Sequence, residues 1–189
     1  MFVENYIKNS ILTKEKMLAD KAILNSIKES ALAIVDACMH DKKVLTAGNG
    51  GSTADAQHIA GELVGRFQKE RRALDAIALT NDMFVMTAVG NDFGFDRIFA
   101  RQIQAHGKKG DIFIGISTSG NSENIISALM EAKKQGLTTI GLTGKNNCKM
   151  DELCDFIIKV PSDETPIIQE CHVMIGHILC SIIEHKLFD

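Results

Sequence analysis

Short apolar segments alternate with helical patterns through most of this chain, and that alternation limits the possible folds more than any other feature. Strands that are separated by helices run parallel, and helices cover both faces of their sheet. The sequence therefore predicts a three-layer α/β fold with a five-stranded parallel sheet. The predicted strands are Lys43–Ala47, Ala76–Leu79, Asp111–Ile116, Thr138–Leu142 and Phe156–Val160.

Two amphipathic helices are predicted before the first strand. Val3, Ile7 and Ile11 begin the first, and the second repeats apolar residues at three- and four-residue steps from Leu24 to Cys38. Their apolar stripes need a partner, which predicts that the protein is not a monomer. We expect a single domain over residues 1–189 with a helical N-terminal extension over about 1–40. The other predicted helices cover about Ser52–Arg66, Asp82–Val89, Phe95–His106, the segment from Ser122 to Gln135, and about Pro166–His185.

The segment Gly115–Ser122 predicts a phosphate site. It follows an apolar strand and precedes a helix, so its glycine lets the backbone approach a ligand while free N–H groups point at it. Ser117, Thr118, Ser119 and Ser122 add hydroxyl donors. The alternative is a serine-rich helix cap, but one cap needs only one hydroxyl.

A second loop, Gly48–Ser52, also follows a predicted strand. It lacks the third glycine of a dinucleotide fingerprint, because Thr53 stands there, and no acidic residue closes the second strand. No Lys-Ser/Thr pair follows the loop, so it is not a nucleotide P-loop. A tight turn that shapes a sugar-phosphate pocket fits better.

Composition disfavours several other functions. The net charge of −3 and the pI near 6.1 argue against nucleic acid or a membrane surface as the partner. We expect no membrane-spanning run and no signal peptide. Five scattered cysteines without a CxxC motif predict a reducing, cytoplasmic environment.

His58 and Glu62 are candidate functional residues, because they lie four residues apart on one helix and so share a face. They could form an exposed ion pair, a metal site or an acid–base pair. Gln169 and His177 lie on the predicted C-terminal helix, about 12 Å apart along its axis. These two reach one site only if a crossing helix, or another subunit, places His58 and Glu62 between them.

Together these motifs resemble the phosphoheptose isomerases, a family of the sugar isomerase (SIS) domain superfamily. The likeness covers nearly the whole chain, and the combined set is more specific than the serine loop alone. The residues that carry it are Gly48–Ser52, Asp55–His58, Glu62-Leu63, Gly65-Arg66, Gly90–Gly94, Gly115–Ser122, Leu142–Lys145, Ile168–Glu170, His172 and His177. The resemblance implies an SIS fold with a flavodoxin-like parallel sheet and a homotetramer with active sites between subunits. It also implies conversion of sedoheptulose 7-phosphate to D-glycero-D-manno-heptose 7-phosphate, the first step toward heptose for lipopolysaccharide or capsule.

The resemblance also assigns roles to individual residues. It implies that Glu62 and His177 form the acid–base pair, and that one labile zinc ion per subunit is held by His58, Glu62, Gln169 and His177. The substrate-binding residues that it implies are Asn49, Gly50, Gly51, Ser52, Glu62, Asn91, Asp92, Ser117, Thr118, Ser119, Ser122 and Gln169.

Two alternatives remain at this point. One is a non-catalytic phosphosugar-binding protein of the DnaA initiator-associating type, although the presence of Glu62 and His177 favours an enzyme. The other is an isomerase of a different phosphosugar, because the phosphate loop is shared across the superfamily. The segment 162–166 departs from the loop that some family members use before the glutamine, so its substrate contacts are left open.

Overall fold

The computed structural model describes residues 1–189 as a five-stranded parallel sheet in the order β2-β1-β3-β4-β5. Seven α-helices and two 3₁₀ turns connect and flank the strands, so the predicted α/β class and the number of strands are confirmed. The strands are β1 Val44–Gly48, β2 Ala76–Ala78, β3 Ile112–Ile116, β4 Thr138–Thr143 and β5 Phe156–Lys159. The helices are α1 Phe2–Ala19, α2 Lys21–Met39, α3 Gly51–Val64, α4 Met83–Phe93, α5 Ile98–His106, α6 Glu123–Gln135 and α7 Thr165–Phe188, with 3₁₀ turns at Phe95–Arg97 and Lys149–Glu152.

Two hydrophobic cores lie on opposite faces of the sheet. Helices α2, α3 and α7 cover one face, where Ile112, Ile114 and Ile116 of β3 are buried. Helices α5 and α6 cover the other face, where Leu45 of β1 and Phe113 of β3 are buried. Alternate residues of β3 therefore belong to different cores, as a strand covered on both sides requires.

The N-terminal helices differ in how they pack. Asp20 caps α2 by accepting hydrogen bonds from the backbone of Ala22 and Ile23, and α2 packs against α7. In contrast, α1 leaves Val3, Ile7 and Ile11 exposed, and these are the residues of the predicted apolar stripe. This apolar surface has no partner within the chain.

Two expectations about helices are wrong. Helix α4 does not end at Gly90 but continues to Phe93, because the residue that stops it is Gly94, whose φ of 93° a helix cannot contain. Helix α7 does reach membrane-spanning length and composition, since it has 24 residues and contains an 18-residue stretch with a mean hydropathy of 1.4. It packs on α2 and α3, and the buried share of that stretch is 50%, which is typical of the core helix of a globular protein.

Candidate active site

The two predicted ligand loops lie side by side at the carboxyl edge of the sheet. The Asn49–Ser52 turn follows β1, and the Ser117–Ser122 loop follows the neighbouring strand β3. The strand order reverses direction between β1 and β3, and parallel α/β sheets bind ligands in the crevice at such a switch point. The fold therefore places both loops where a ligand is expected.

The serine loop turns its hydroxyl groups toward one another. The Ser117 and Ser122 Oγ atoms are 2.9 Å apart, and the Ser117 and Ser119 Oγ atoms are 3.4 Å apart. The Thr118 carbonyl accepts a hydrogen bond from the backbone N–H of Gly144, which ties the loop to the segment after β4. Thr118 and Ser119 also line a small cavity of about 160 Å³ beside this segment.

No side chain caps the start of α6. Ser122 is the N-cap residue, but its hydroxyl faces Ser117 and accepts no hydrogen bond from the first turn of the helix. The alternative interpretation of this loop as a helix cap is therefore wrong. An uncapped helix start with adjacent hydroxyls is a suitable site for an anion, because the free N–H groups and the helix dipole favour negative charge there.

Helices α3 and α7 cross closely because glycine occupies the contact points. A Cβ atom on Gly51 would lie 2.4 Å from Nε2 of Gln169, and a Cβ on Gly176 would lie 2.9 Å from Cγ1 of Ile59. The two contacts lie about two helical turns apart along the crossing, and at each one the missing side chain of a glycine lets the backbones approach. This contact supplies the crossing helix that the spacing of Gln169 and His177 required.

His58, Glu62 and His177 come together at this crossing. The His58 Nε2 atom lies 3.1 Å from Oε1 of Glu62 and 3.0 Å from Nε2 of His177. The ring of Phe67 packs against His177 with its centroid 5.4 Å away. All three polar groups belong to one chain, so a second subunit is not needed to unite Glu62 with His177.

The cluster rests on a buried ion pair. The Glu184 carboxylate accepts hydrogen bonds from the backbone N–H groups of residues 67–69 and from Nε of Arg71. The Arg71 guanidinium in turn donates to the carbonyls of Glu62 and Leu63, which lie in the last turn of α3. The ion pair therefore joins the end of α3 to α7 and fixes the segment that carries Phe67.

Three of the four residues predicted as metal ligands converge. Single ligand atoms of His58, Glu62 and His177 all lie within 4.8 Å of one another. Two imidazoles and a carboxylate are a donor set that suits zinc in catalytic sites. The amide of Gln169 instead lies against Gly51, seven residues or roughly 10 Å of helix axis before His58. The role of Gln169 as a metal ligand stays a prediction, because the structure places its amide beside the glycine turn.

The other predicted sugar-binding residues lie on surrounding elements. Gly50 has a φ of 56° and begins the turn into α3, and Ser52 is buried in the first turn of that helix. Asn91 and Asp92 are exposed in the last turn of α4 and are hydrogen-bonded to each other. The residues after α4 pack against α6, the helix that the serine loop precedes.

Two buried ionisable groups lie near the site without complete hydrogen bonding. Burial raises the pKa of the Asp55 carboxyl to about 6, and its Oδ2 atom has no partner. Burial lowers the pKa of His172 to about 4, and its Nδ1 atom has no partner. His172 is therefore a core histidine with only one ring nitrogen near a hydrogen-bond partner, since its Nε2 atom lies 3.4 Å from the Thr143 carbonyl oxygen.

Sequence reasoning missed four residues around the site. Phe67, Arg71 and Glu184 support the cluster, and Asn124 pairs with Asn49 of the glycine turn. Of these, only Asn124 could have been found from the sequence, because it lies two residues after the serine loop. The others depend on contacts between segments more than 100 residues apart in the sequence.

Comparisons with known proteins agree with this arrangement. The family model described as SIS domain matches residues 5–144. A phosphoheptose isomerase of Aneurinibacillus thermoaerophilus is 51% identical over 99% of this chain and 94% of its own length. Phosphoheptose isomerase 2 of Campylobacter jejuni subsp. jejuni serotype O:2 is 52% identical over 99% of this chain and 93% of its own length.

Solved structures extend the likeness to three dimensions. A phosphoheptose isomerase from Francisella tularensis superposes with a TM-score of 0.93 at 41% identity, with 97% of each chain covered. Sequence and fold therefore match over nearly the whole chain. The chain belongs to the phosphoheptose isomerase family of the SIS-domain proteins.

Proposed function

We propose that this protein is an isomerase that converts sedoheptulose 7-phosphate to D-glycero-D-manno-heptose 7-phosphate through an enediol. The observation that carries the proposal is the convergence of His58, Glu62 and His177 within one chain, where α7 crosses the helix α3 that begins at the glycine turn. The match to phosphoheptose isomerases over nearly the full length supports the same reaction.

The phosphate group would bind at the serine loop. Ser117, Ser119 and Ser122 offer hydroxyl donors beside the uncapped start of α6, and no lysine or arginine is needed to neutralise the anion there. Thr118 extends the same loop. Binding energy from this remote group holds an open-chain sugar so that its other end is oriented for reaction.

The reacting carbons would lie toward the α3–α7 crossing. A chain of seven carbons with bonds of about 1.5 Å spans roughly 8 Å when extended. The α3 axis rises by a similar distance, roughly 10 Å, between Gly51 and His58. Asn49, Gly50, Gly51, Ser52 and Gln169 then lie along the path where they can contact sugar hydroxyls, with Asn91 and Asp92 contributing from α4.

The proton transfers need one base and one acid. A base removes a proton from C1 of the ketose while an acid protonates the oxygen on C2, which gives the enediol. The O1 proton then leaves and C2 takes up a proton, so the aldose forms with no external oxidant or reductant. Glu62 and His177 have the residue types for these steps, and each such positioned group usually contributes about 10²–10⁴ in rate.

A zinc ion fits the cluster and would be held by His58, Glu62 and His177, with Gln169 as the predicted fourth ligand. When bound, zinc supplies electrophilic polarisation of the carbonyl oxygen and stabilises negative charge on it. The cluster is only partly buried, since the His58 side chain is 43% exposed, and this exposure agrees with a labile ion.

The proposal includes a homotetramer in the cytoplasm with sites at the subunit interfaces. Exposed apolar side chains on α1 and α4, such as Phe2 and Phe84, need cover that a neighbouring subunit can provide. A neighbour would then close the site, while the acid–base pair comes from one chain. The heptose product would feed lipopolysaccharide, capsule or another heptose-containing product.

Turnover of sedoheptulose 7-phosphate by the purified protein tests the proposal. We expect the wild type to form the aldose and Glu62→Gln to lose about 10²–10⁴ in rate while still binding substrate. Glu70→Gln is the matched control, because Glu70 is an exposed glutamate outside the site, and it should keep full activity. No turnover of heptulose phosphate, with turnover of a hexulose or pentulose phosphate, would favour another phosphosugar, and no turnover of any would favour a binding protein.

A further inference from the structure

Asn49 and Asn124 form a reciprocal amide pair across the site. The Nδ2 atom of each donates to the Oδ1 atom of the other, and both distances are 2.8 Å. Asn49 follows β1, and Asn124 lies in the first turn of α6, 75 residues later. The pair therefore links the glycine turn directly to the helix start that follows the serine loop.

The two amides differ in what they have left to offer. Each primary amide has two N–H donors and two acceptor lone pairs, and the reciprocal pair uses one of each. Asn124 is 2% exposed, so its remaining groups do not reach solvent, whereas Asn49 is only partly buried. Asn49 keeps one N–H and one lone pair that no other protein group uses, and its partial exposure leaves them open to a ligand.

We infer that Asn124 is a positioning residue for the isomerase reaction: through Asn49 it holds the glycine turn at a set distance from the phosphate loop. The inference rests on the proposed function. Two parallel hydrogen bonds fix both separation and orientation, as a single one does not. The reacting carbons are thereby held in register with the acid–base groups when the phosphate is bound at the other loop.

A role limited to helix capping does not account for this contact. The Asn124 side chain bonds to Asn49 on another loop and not to the backbone of α6. The anion-binding N–H groups of α6 should therefore survive its removal. The alignment of the sugar should be lost, and a misplacement of about 1 Å can cost about 10²-fold in rate.

The test compares Asn124→Ala, Asn49→Ala and the double variant with wild type. We expect Asn124→Ala to lower kcat by tenfold or more, while its affinity for inorganic phosphate, measured by calorimetry, stays within about twofold. The double variant should have the kcat of Asn49→Ala, because a residue that acts only through Asn49 adds nothing once Asn49 is gone. Asn147→Ala, which removes an exposed asparagine outside the site, is the control and should keep wild-type kcat.

Three results would overturn the inference: an unchanged kcat in folded Asn124→Ala, losses that add in the double variant, or a fall in phosphate affinity that matches the fall in kcat/KM. If Asn124→Ala does not fold, Asn124→Leu fills the same space without hydrogen bonds and is judged by the same criteria. Wild-type turnover in the same assay tests the proposed function separately, and the ratios between variants are read on whichever phosphosugar the wild type isomerises.

Discussion

Subunit mixing gives the sharpest test of where the catalytic groups come from. Glu62→Gln and His177→Asn should each be nearly inactive, since each removes one partner of the acid–base pair. If the pair came from two subunits, random mixing in equal amounts would leave about a quarter of the sites with both native residues. If it comes from one chain, every site carries one defect and no activity returns.

The structure favours the second outcome. His58 is 3.0 Å from His177 and 3.1 Å from Glu62 within one chain, so neither residue needs to be supplied by a neighbour. The two variants would be unfolded and refolded together, and the steady-state rate compared with that of each variant alone and of a wild-type sample treated in the same way. Recovery of about a quarter of the wild-type rate would refute the single-chain pair.

Three further outcomes are expected. Ser119→Ala with Ser122→Ala should weaken binding of inorganic phosphate by about 1.5–3 kcal/mol for each lost bond, and equal affinity in calorimetry would remove the phosphate from this loop. Glu184→Ala leaves the buried Arg71 guanidinium unpaired and should lower the free energy of unfolding in urea by about 3–5 kcal/mol; a loss below about 1 kcal/mol would contradict the role of the ion pair. Asp55→Asn should stabilise the protein at pH 7 by up to about 3 kcal/mol. Burial raises the Asp55 pKa to about 6 from an ordinary value of 3.8, so the cost of the buried charge is complete above pH 6 and disappears as the pH falls toward 4. Destabilisation by Asp55→Asn at pH 7 would mean that the carboxylate has a partner.

Much of the fold could be predicted because its signals are local. Strand β3 and helix α6 are marked by an apolar run, a serine loop and a regular helical pattern within 24 consecutive residues, Ile112–Gln135. The end of α4 was misplaced because Gly90 and Gly94 look alike in sequence. Only the backbone shows that Gly94 has the positive φ that stops a helix.

The site was predictable in its residue types but not in its assembly. His58 and Glu62 could be paired because helix geometry fixes neighbours four residues apart. Their meeting with His177 depends on the approach of α3 to α7, which is set by the absent side chain of Gly176 against Ile59. Neither periodicity nor spacing carries that information. The ion pair between Arg71 and Glu184 was missed for the same reason.

The order in which the chain is synthesised gives the Arg71–Glu184 ion pair a further consequence. Helix α7 follows all five strands in the chain, and Glu184 lies five residues before Asp189. A nascent chain can complete strands β1 to β5 and still lack His177 and the carboxylate that fixes the segment beside it. Partly synthesised chains therefore carry the phosphate loop but lack the completed cluster, and the sheet face that α7 covers stays exposed until this helix is made.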